Sequence, residues 1–293
     1  MRPIDRLRNR LQQGPILLTG GLGTELLRRG HPTPLPLWST ATLLEAPEAI
    51  AELHADYARA GADIIEANTF RTARATVAPH GHDARALTKR AVALAREGVE
   101  ASGREAAVAG SLGPVADCYR PDLVPDETTL RVEHGLHIGS LVAARVDLVL
   151  IETMNTIREA TAALGAAKAG LIPATVSFVI DDELRLLSGE LLEDAVRAVE
   201  PLDPLAITVN CCAPDTATAA VQALVAATDR PVGAYANGLG QPDDDQGWAF
   251  DGGHDDTAFV AAARQWLDAG ARVIGGCCGT TPDTIRALDA LRS

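Results

Sequence analysis

The feature that most constrains this chain is a repeated alternation. Eight short runs rich in Ile, Val, Leu and Ala lie at 15–19, 62–68, 106–111, 147–153, 172–180, 204–211, 230–237 and 272–277, with longer helical patterns between them. None of the runs alternates apolar with polar residues, which is how parallel strands covered on both faces read. Parallel neighbours need long crossover connections, and the intervening segments supply them. Eight strand–helix units predict an α/β fold of the closed (β/α)8 TIM-barrel type, which typically needs about 250 residues. The chain has 293, and with no linker or repeat beyond this alternation it reads as a single domain over 1–293.

Helix ends are readable in places. The patterns at 45–60, 83–102 and 255–269 run into Gly61, Gly103 and Gly270, glycine being suited to the left-handed turn after a helix. Thr281 followed by Pro282 reads as the N-cap and first turn of the last helix. Two segments break the rhythm. The stretch 28–42 holds Pro32, Pro34, Pro36 and Trp38 and reads as an ordered loop rather than a helix. The stretch 238–254 is rich in Gly and Asp and holds Trp248 and Phe250. Both follow strands, so both are expected over the C-terminal mouth of the barrel, where such folds keep their active sites.

Charge narrows the partners. A formal net charge of −13 with no basic run argues against nucleic acid and against an anionic membrane, which need a concentrated positive face. The apolar runs are strand-sized, far short of the roughly 20 residues of a spanning helix. The N-terminal MRPIDRLRNRLQQG is too polar for a secretory signal, so a cytoplasmic location is expected.

In a reducing compartment the five cysteines, Cys118, Cys211, Cys212, Cys277 and Cys278, read as metal-binding or catalytic rather than as a disulfide framework. Cys211 stands at the end of the sixth run, and Cys277 and Cys278 at the end of the eighth, so a barrel would bring them to one rim. Three thiolates and an open position make a catalytic zinc arrangement, and soft sulfur favours zinc over magnesium or calcium. Adjacent strand residues point to opposite faces, so Cys277 and Cys278 share a metal only if the chain turns there. The glycines of Gly275-Gly276-Cys277-Cys278-Gly279 permit such a turn. Spacing does not choose between Cys211 and Cys212.

With these motifs in order, the sequence resembles the homocysteine S-methyltransferase family. The resemblance runs from about 15 to 282 through LLTGGLGTEL (17–26), GADIIEANTF (61–70), GSLGP (110–114), LVLIETM (148–154), VSF and LSGE (176–178, 187–190), VNCC (209–212) and GGCCGTTP (275–282). It implies a (β/α)8 barrel with zinc on Cys211, Cys277 and Cys278, leaving Cys212 as a neighbour. It implies that homocysteine sulfur takes the fourth metal position and attacks a methyl group on a sulfonium or ammonium donor. It implies further that Glu152 holds the substrate amino group, that the backbone at Gly20 and Gly21 faces the amino acid, and that Trp38, Asn68 and Asn237 lie beside substrate or metal.

Three departures stand out. Thr19 occupies the position of the family's Asp before Gly-Gly, Ala67 interrupts Glu-Thr-Asn-Thr-Phe, and Ala236 replaces the proline of Tyr-Pro-Asn. The loss of the carboxylate at position 19 should weaken recognition of homocysteine by roughly one to two decades, unless Glu152 or Glu25 compensates. The resemblance therefore implies transfer from S-methylmethionine or S-adenosylmethionine to homocysteine, the donor being drawn from the chain's short extent beyond the Cys-Cys motif. Transfer to a different thiol, or a non-catalytic thiol- or zinc-binding barrel, are the alternatives. The expected partners are a small thiol and a methyl donor, with the oligomeric state open.

Overall fold

The computed structural model describes residues 3–243, 247–250 and 256–292. Eight strands form one parallel sheet: β1 (Ile16–Leu17), β2 (Ile64–Ala67), β3 (Ala107–Leu112), β4 (Leu148–Met154), β5 (Ala174–Phe178), β6 (Ile207–Asn210), β7 (Val232–Ala236) and β8 (Val273–Gly276). Their order is β1-β8-β7-β6-β5-β4-β3-β2. At the remaining seam Asp63 N donates to Leu17 O at 2.8 Å, and the Asp63 carboxylate accepts from Leu17 N at 2.9 Å. The sheet thus curls into a nearly closed TIM barrel, as the eight runs predict.

The helices lie outside: α1 (Pro3–Gln13), α2 (Leu22–Arg28), α3 (Ser39–Glu45), α4 (Pro47–Arg59), α5 (Arg74–Val77), α6 (Ala84–Ser102), α7 (Glu127–Ala143), α8 (Ile157–Ala169), α9 (Leu192–Val199), α10 (Pro214–Ala227), α11 (Thr257–Ala269) and α12 (Pro282–Ala290). Asp83 caps α6 by accepting from Ala86 N at 2.9 Å, and Gly103 ends it with φ +69. Thr281 and Thr284 close a capping box at the start of α12. No described helix is long and apolar enough to cross a membrane.

The segment 28–42 departs from expectation. Its irregular part ends at Trp38, and α3 begins at Ser39, inside the predicted loop. The prolines stop at 36, and Ser-Thr-Ala-Thr-Leu-Leu-Glu carries no helix breaker, so the chain recovers helix as soon as it leaves them.

Strand parity divides the core. Outward residues such as Ile65, Ala67, Val149 and Ile151 pack under the helices. Inward residues Ile16, Ile64, Ala107, Ala109, Leu148, Leu150 and Val273 fill the lower barrel, and Ile4 and Leu7 of α1 plug its floor. The same inward rows continue upward as Glu66, Ser111, Glu152 and Tyr235. Parity therefore decides which side chains reach the mouth.

Candidate functional site at the barrel mouth

A cavity of about 390 Å³ opens at the C-terminal ends of the strands. Gly20, Gly21, Trp38, Asn68, Glu152, Cys211, Cys277 and Cys278 line it, together with Glu66, Phe70, Arg71, Cys118, Tyr119, Asn210 and Tyr235.

The sulfur atoms of Cys211, Cys277 and Cys278 all lie within 4.8 Å of one another, on β6 and β8 connections 66 residues apart in sequence. Cys211 stands one residue past β6 with φ +54, a left-handed conformation that a non-glycine residue rarely holds. Cys277 N still bonds Ala236 O at 2.8 Å, so Cys277 extends the ladder with β7 before the chain turns. Gly279 takes φ +76 at that turn. Gly276 serves a different end: a Cβ there would stand 2.2 Å from Thr280 Oγ1, the hydroxyl that donates to Cys277 O at 2.6 Å. One glycine supplies the turn, the other close approach, and both thiols face inward.

The donors fit a soft divalent metal. Cys211 Sγ and Cys277 Sγ are 2.9 Å apart, whereas two thiolates on zinc, each at about 2.3 Å in a tetrahedron, stand about 3.8 Å apart. Metal entry would part this pair of sulfur atoms by about 1 Å. Cys277 is drawn well below the ordinary thiol range by hydrogen bonds from Cys211 and Cys278. Cys211 is raised, first because it is a donor to Cys277. The cluster so arranged already favours one thiolate. Cys212 is buried and apolar in its surroundings, and burial lifts its thiol to about 12. Geometry separates it from its neighbour where spacing did not.

Asn210 and Thr153 brace the cluster. Thr153 N donates to Asn210 Oδ1 at 2.9 Å, Asn210 Nδ2 donates to Thr153 Oγ1 at 2.8 Å, and Thr153 Oγ1 reaches Cys211 Sγ at 3.9 Å. Thr153 has φ +60, at a register shift between Ile151 and Met154 in the β4–β5 pairing. Such irregularities commonly re-aim side chains beside active sites.

Below the metal cluster sits a carboxylate pair. Ser111 Oγ donates to Glu152 Oε1, and Glu66 and Glu152 share a hydrogen bond. Burial lifts Glu152 to about 7, opposed by the Ser111 hydrogen bond and helped by the charge of Cys277. Glu66 is raised by burial and then by repulsion from Glu152. No described cation pairs with either, so burial and mutual repulsion leave the pair holding a proton until a cation arrives. Tyr235 brings its hydroxyl beside Glu152 and Ser177.

Other sequence-predicted residues separate. Gly21 N donates to Thr280 Oγ1 at 3.0 Å, and Gly20 packs against Tyr57. Trp38 lies between Gly23 and Gly247, covering the pocket. Asn68 spends its amide on Ser39, accepting from Ser39 Oγ at 2.6 Å and donating to Ser39 O at 2.9 Å, so it anchors α3 beneath Trp38. Asn237 bonds Cys212 O through its backbone at 2.9 Å and lies outside the pocket lining, its buried Oδ1 unpartnered. Thr19 is buried off the lining, its carbonyl accepting from Gly276 N at 3.1 Å. Glu25 does not compensate for it: Arg28 and Arg29 hold that buried carboxylate at 2.6 and 2.8 Å. Of the second mouth loop, Pro242, Asp243, Gly247 and Trp248 line the cavity, while 244–246 and 251–255 fall outside the described residues.

Sequence reasoning missed Glu66, Ser111, Asn210, Tyr235 and Arg71 as site residues. For Glu66 the signal was present: it stands two residues beyond the inward Ile64, as Glu152 stands two beyond Leu150.

The sequence model of the family described as homocysteine S-methyltransferase matches residues 16–291. The chain belongs to that family. A homocysteine S-methyltransferase of Escherichia coli is 35% identical over 95% of this chain and 96% of its own length. A selenocysteine Se-methyltransferase of Brassica oleracea is 30% identical over 94% and 88%. The metallated form of the Escherichia coli homocysteine methyltransferase MmuM superposes with a TM-score of 0.84 at 33% identity, over 99% of both chains. With its family, this chain is a methyltransferase, and its three clustered cysteines are grouped closely enough to hold a metal ion.

Proposed function

We propose that this methyltransferase holds zinc on Cys211, Cys277 and Cys278 and moves a methyl group from a sulfonium donor to the thiol of homocysteine, giving methionine. The observation that carries this reading is the thiol triad, gathered within 4.8 Å at the mouth of a barrel and open to the cavity. Zinc bound there lowers the pKa of an incoming thiol, so that the acceptor arrives as thiolate at neutral pH.

The chain's own residues do the rest. Asn210 and Thr153 fix the orientation of Cys211 through the hydrogen bonds given above. Glu66 and Glu152 form a cation-binding floor, and Ser111 orients Glu152. An acceptor's ammonium group on this floor offsets the negative charge that burial makes costly. Glu66 thereby stands in for the carboxylate missing at Thr19. Trp38 and Trp248 cover the mouth and exclude water, which would otherwise solvate the thiolate and weaken it as a nucleophile. Held in line, the acceptor sulfur takes the methyl carbon while the donor leaves as a neutral thioether, and the thiol proton goes to solvent. Positioning of this kind accounts for up to roughly 7–11 kcal/mol of a barrier.

The test is a matrix of acceptors and donors on zinc-loaded protein. Homocysteine and related thiols are paired with S-methylmethionine, S-adenosylmethionine and betaine, with Cys277→Ala as control. Methionine from homocysteine and a sulfonium donor, absent in the control, is expected. Equal turnover by Cys277→Ala would remove the mechanism.

A further inference from the structure

Two arginines line the mouth cavity, and they are treated differently. Arg120 is clamped by Asp122, through Nε at 2.8 Å and Nη2 at 2.7 Å. Arg71, on the connection from β2 to α5, pairs with no described carboxylate. Its polar contact is one long hydrogen bond from Nη1 to Ala116 O at 3.5 Å, and its guanidinium rests over the Phe70 ring at 5.3 Å. Its Nε is buried with no hydrogen-bond partner.

A buried guanidinium donor without an acceptor is costly to leave unmade, and an anion in the cavity would relieve it. The Phe70 face fixes the plane of the group, leaving its fork of donors matched to a carboxylate. The rest of the cavity narrows the anion. Glu66 and Glu152 stand in the same cavity with no described cation beside them, which disfavours a dianion such as a phosphate. A monoanionic carboxylate on a molecule that also carries a positive charge suits both walls. Arg71 shares the cavity lining with the three clustered cysteines, so it faces the reacting region rather than bulk solvent.

We propose that Arg71 is the carboxylate-recognising residue of the mouth, and that the ligand it selects is an amino acid, with its ammonium or sulfonium charge toward Glu66 and Glu152. This rests on the methyltransferase reading for its two sources, since both a thiol amino acid acceptor and a sulfonium amino acid donor carry that carboxylate. Arg71 binds and positions; it takes no part in bond making.

The experiment measures dissociation constants on the zinc-loaded full chain by calorimetry. One arm compares L-homocysteine with 3-aminopropane-1-thiol, which lacks the carboxylate. The other compares S-methyl-L-methionine with (3-aminopropyl)dimethylsulfonium. In one arm the wild type binds the carboxylated ligand about ten- to a hundred-fold more tightly. In Arg71→Gln that ratio falls toward one, and Arg71→Lys restores part of it. The arm that responds identifies the source. Ratios near one in both arms of the wild type overturn the proposal, and so does a ratio that Arg71→Gln leaves intact. The wild-type ratio and Arg71→Lys remain readable if Arg71→Gln does not fold. If the ratios behave as stated but no methyl moves between any pair, the carboxylate subsite stands and the transferase reading fails.

Discussion

The lower and upper halves of the barrel interior are built on the same inward rows of the same strands, yet they obey opposite rules. Below, Ile64, Leu148 and Leu150 meet Ile4 and Leu7 of α1 in a sealed apolar plug. Two residues further along the same rows, Glu66 and Glu152 meet with no described counter-cation, and Tyr235 adds a hydroxyl. Thr153 and Cys211, both at the upper ends of strands, hold left-handed φ of 60 and 54. The lower half repays the cost of the upper. A site that must receive a charged ligand keeps unsatisfied groups, and its stability comes from elsewhere.

Substitutions can break this contrast, in decreasing order of effect. Cys277→Ala, in the upper half, should lower methyl transfer more than about 100-fold, beyond the loss typical of a residue one step removed from a metal. Its melting temperature without metal should stay near that of the wild type, which calorimetry on the chelated protein checks. Leu150→Ala, in the lower half, should do the reverse. It should cost about 2–5 kcal/mol of stability by denaturant unfolding, with the acceptor KM of the folded enzyme within about twofold of wild type. A larger KM change would mean that the plug also shapes the site.

Glu152→Gln tests the floor of the site. Loss of one charged hydrogen bond should raise the acceptor KM by about ten- to a hundred-fold. Stability should move the other way, and its sign follows from the raised carboxyl. In the metal-free protein Glu152 titrates at about 7 when folded, against an ordinary 4.5. Between these values the folded state holds the proton that the unfolded state has lost, so this group's contribution to stability falls as pH rises through that window. Above about 7 its penalty is full. Glu152→Gln should therefore be more stable than wild type at pH 8, and the gain should vanish near pH 4. Thermal unfolding at the two pH values measures it, and an equal difference at both would remove the assignment. Asn210→Ala should have the mildest effect, a roughly 10–100-fold loss of metal affinity with the fold intact, read by competition with a chelator.

Much of the barrel was legible because buried parallel strands leave uninterrupted apolar runs, and all eight runs hold a strand. The limits were less so. The sixth run extends to Cys211 in sequence, but β6 stops at Asn210 because Cys211 turns left-handed, its sulfur beside those of Cys277 and Cys278, a constraint that composition does not carry. The loop at 28–42 was overextended because proline clusters announce irregular backbone without marking where it ends. Within the site, the gathering of Cys211, Cys277 and Cys278 was legible because strand ends of a barrel meet at one rim. Asn68 and Glu25 were not, because the same side chains serve substrates or scaffolds equally well. Only the partners decide, Ser39 for one and the arginines of α2 and its end for the other. Arg71 was silent for the converse reason: what marks it is the absence of a partner.

The central claim is that these three sulfur atoms, and not merely three of five, make the metal site. The most direct measurement is a zinc titration against a competing chelator on the full chain and on five single Cys→Ala variants. One zinc per chain is predicted for wild type, Cys118→Ala and Cys212→Ala, with tight binding lost in Cys211→Ala, Cys277→Ala and Cys278→Ala. Tight, stoichiometric binding by Cys277→Ala, or its loss in Cys212→Ala with Cys211→Ala unaffected, would contradict the account.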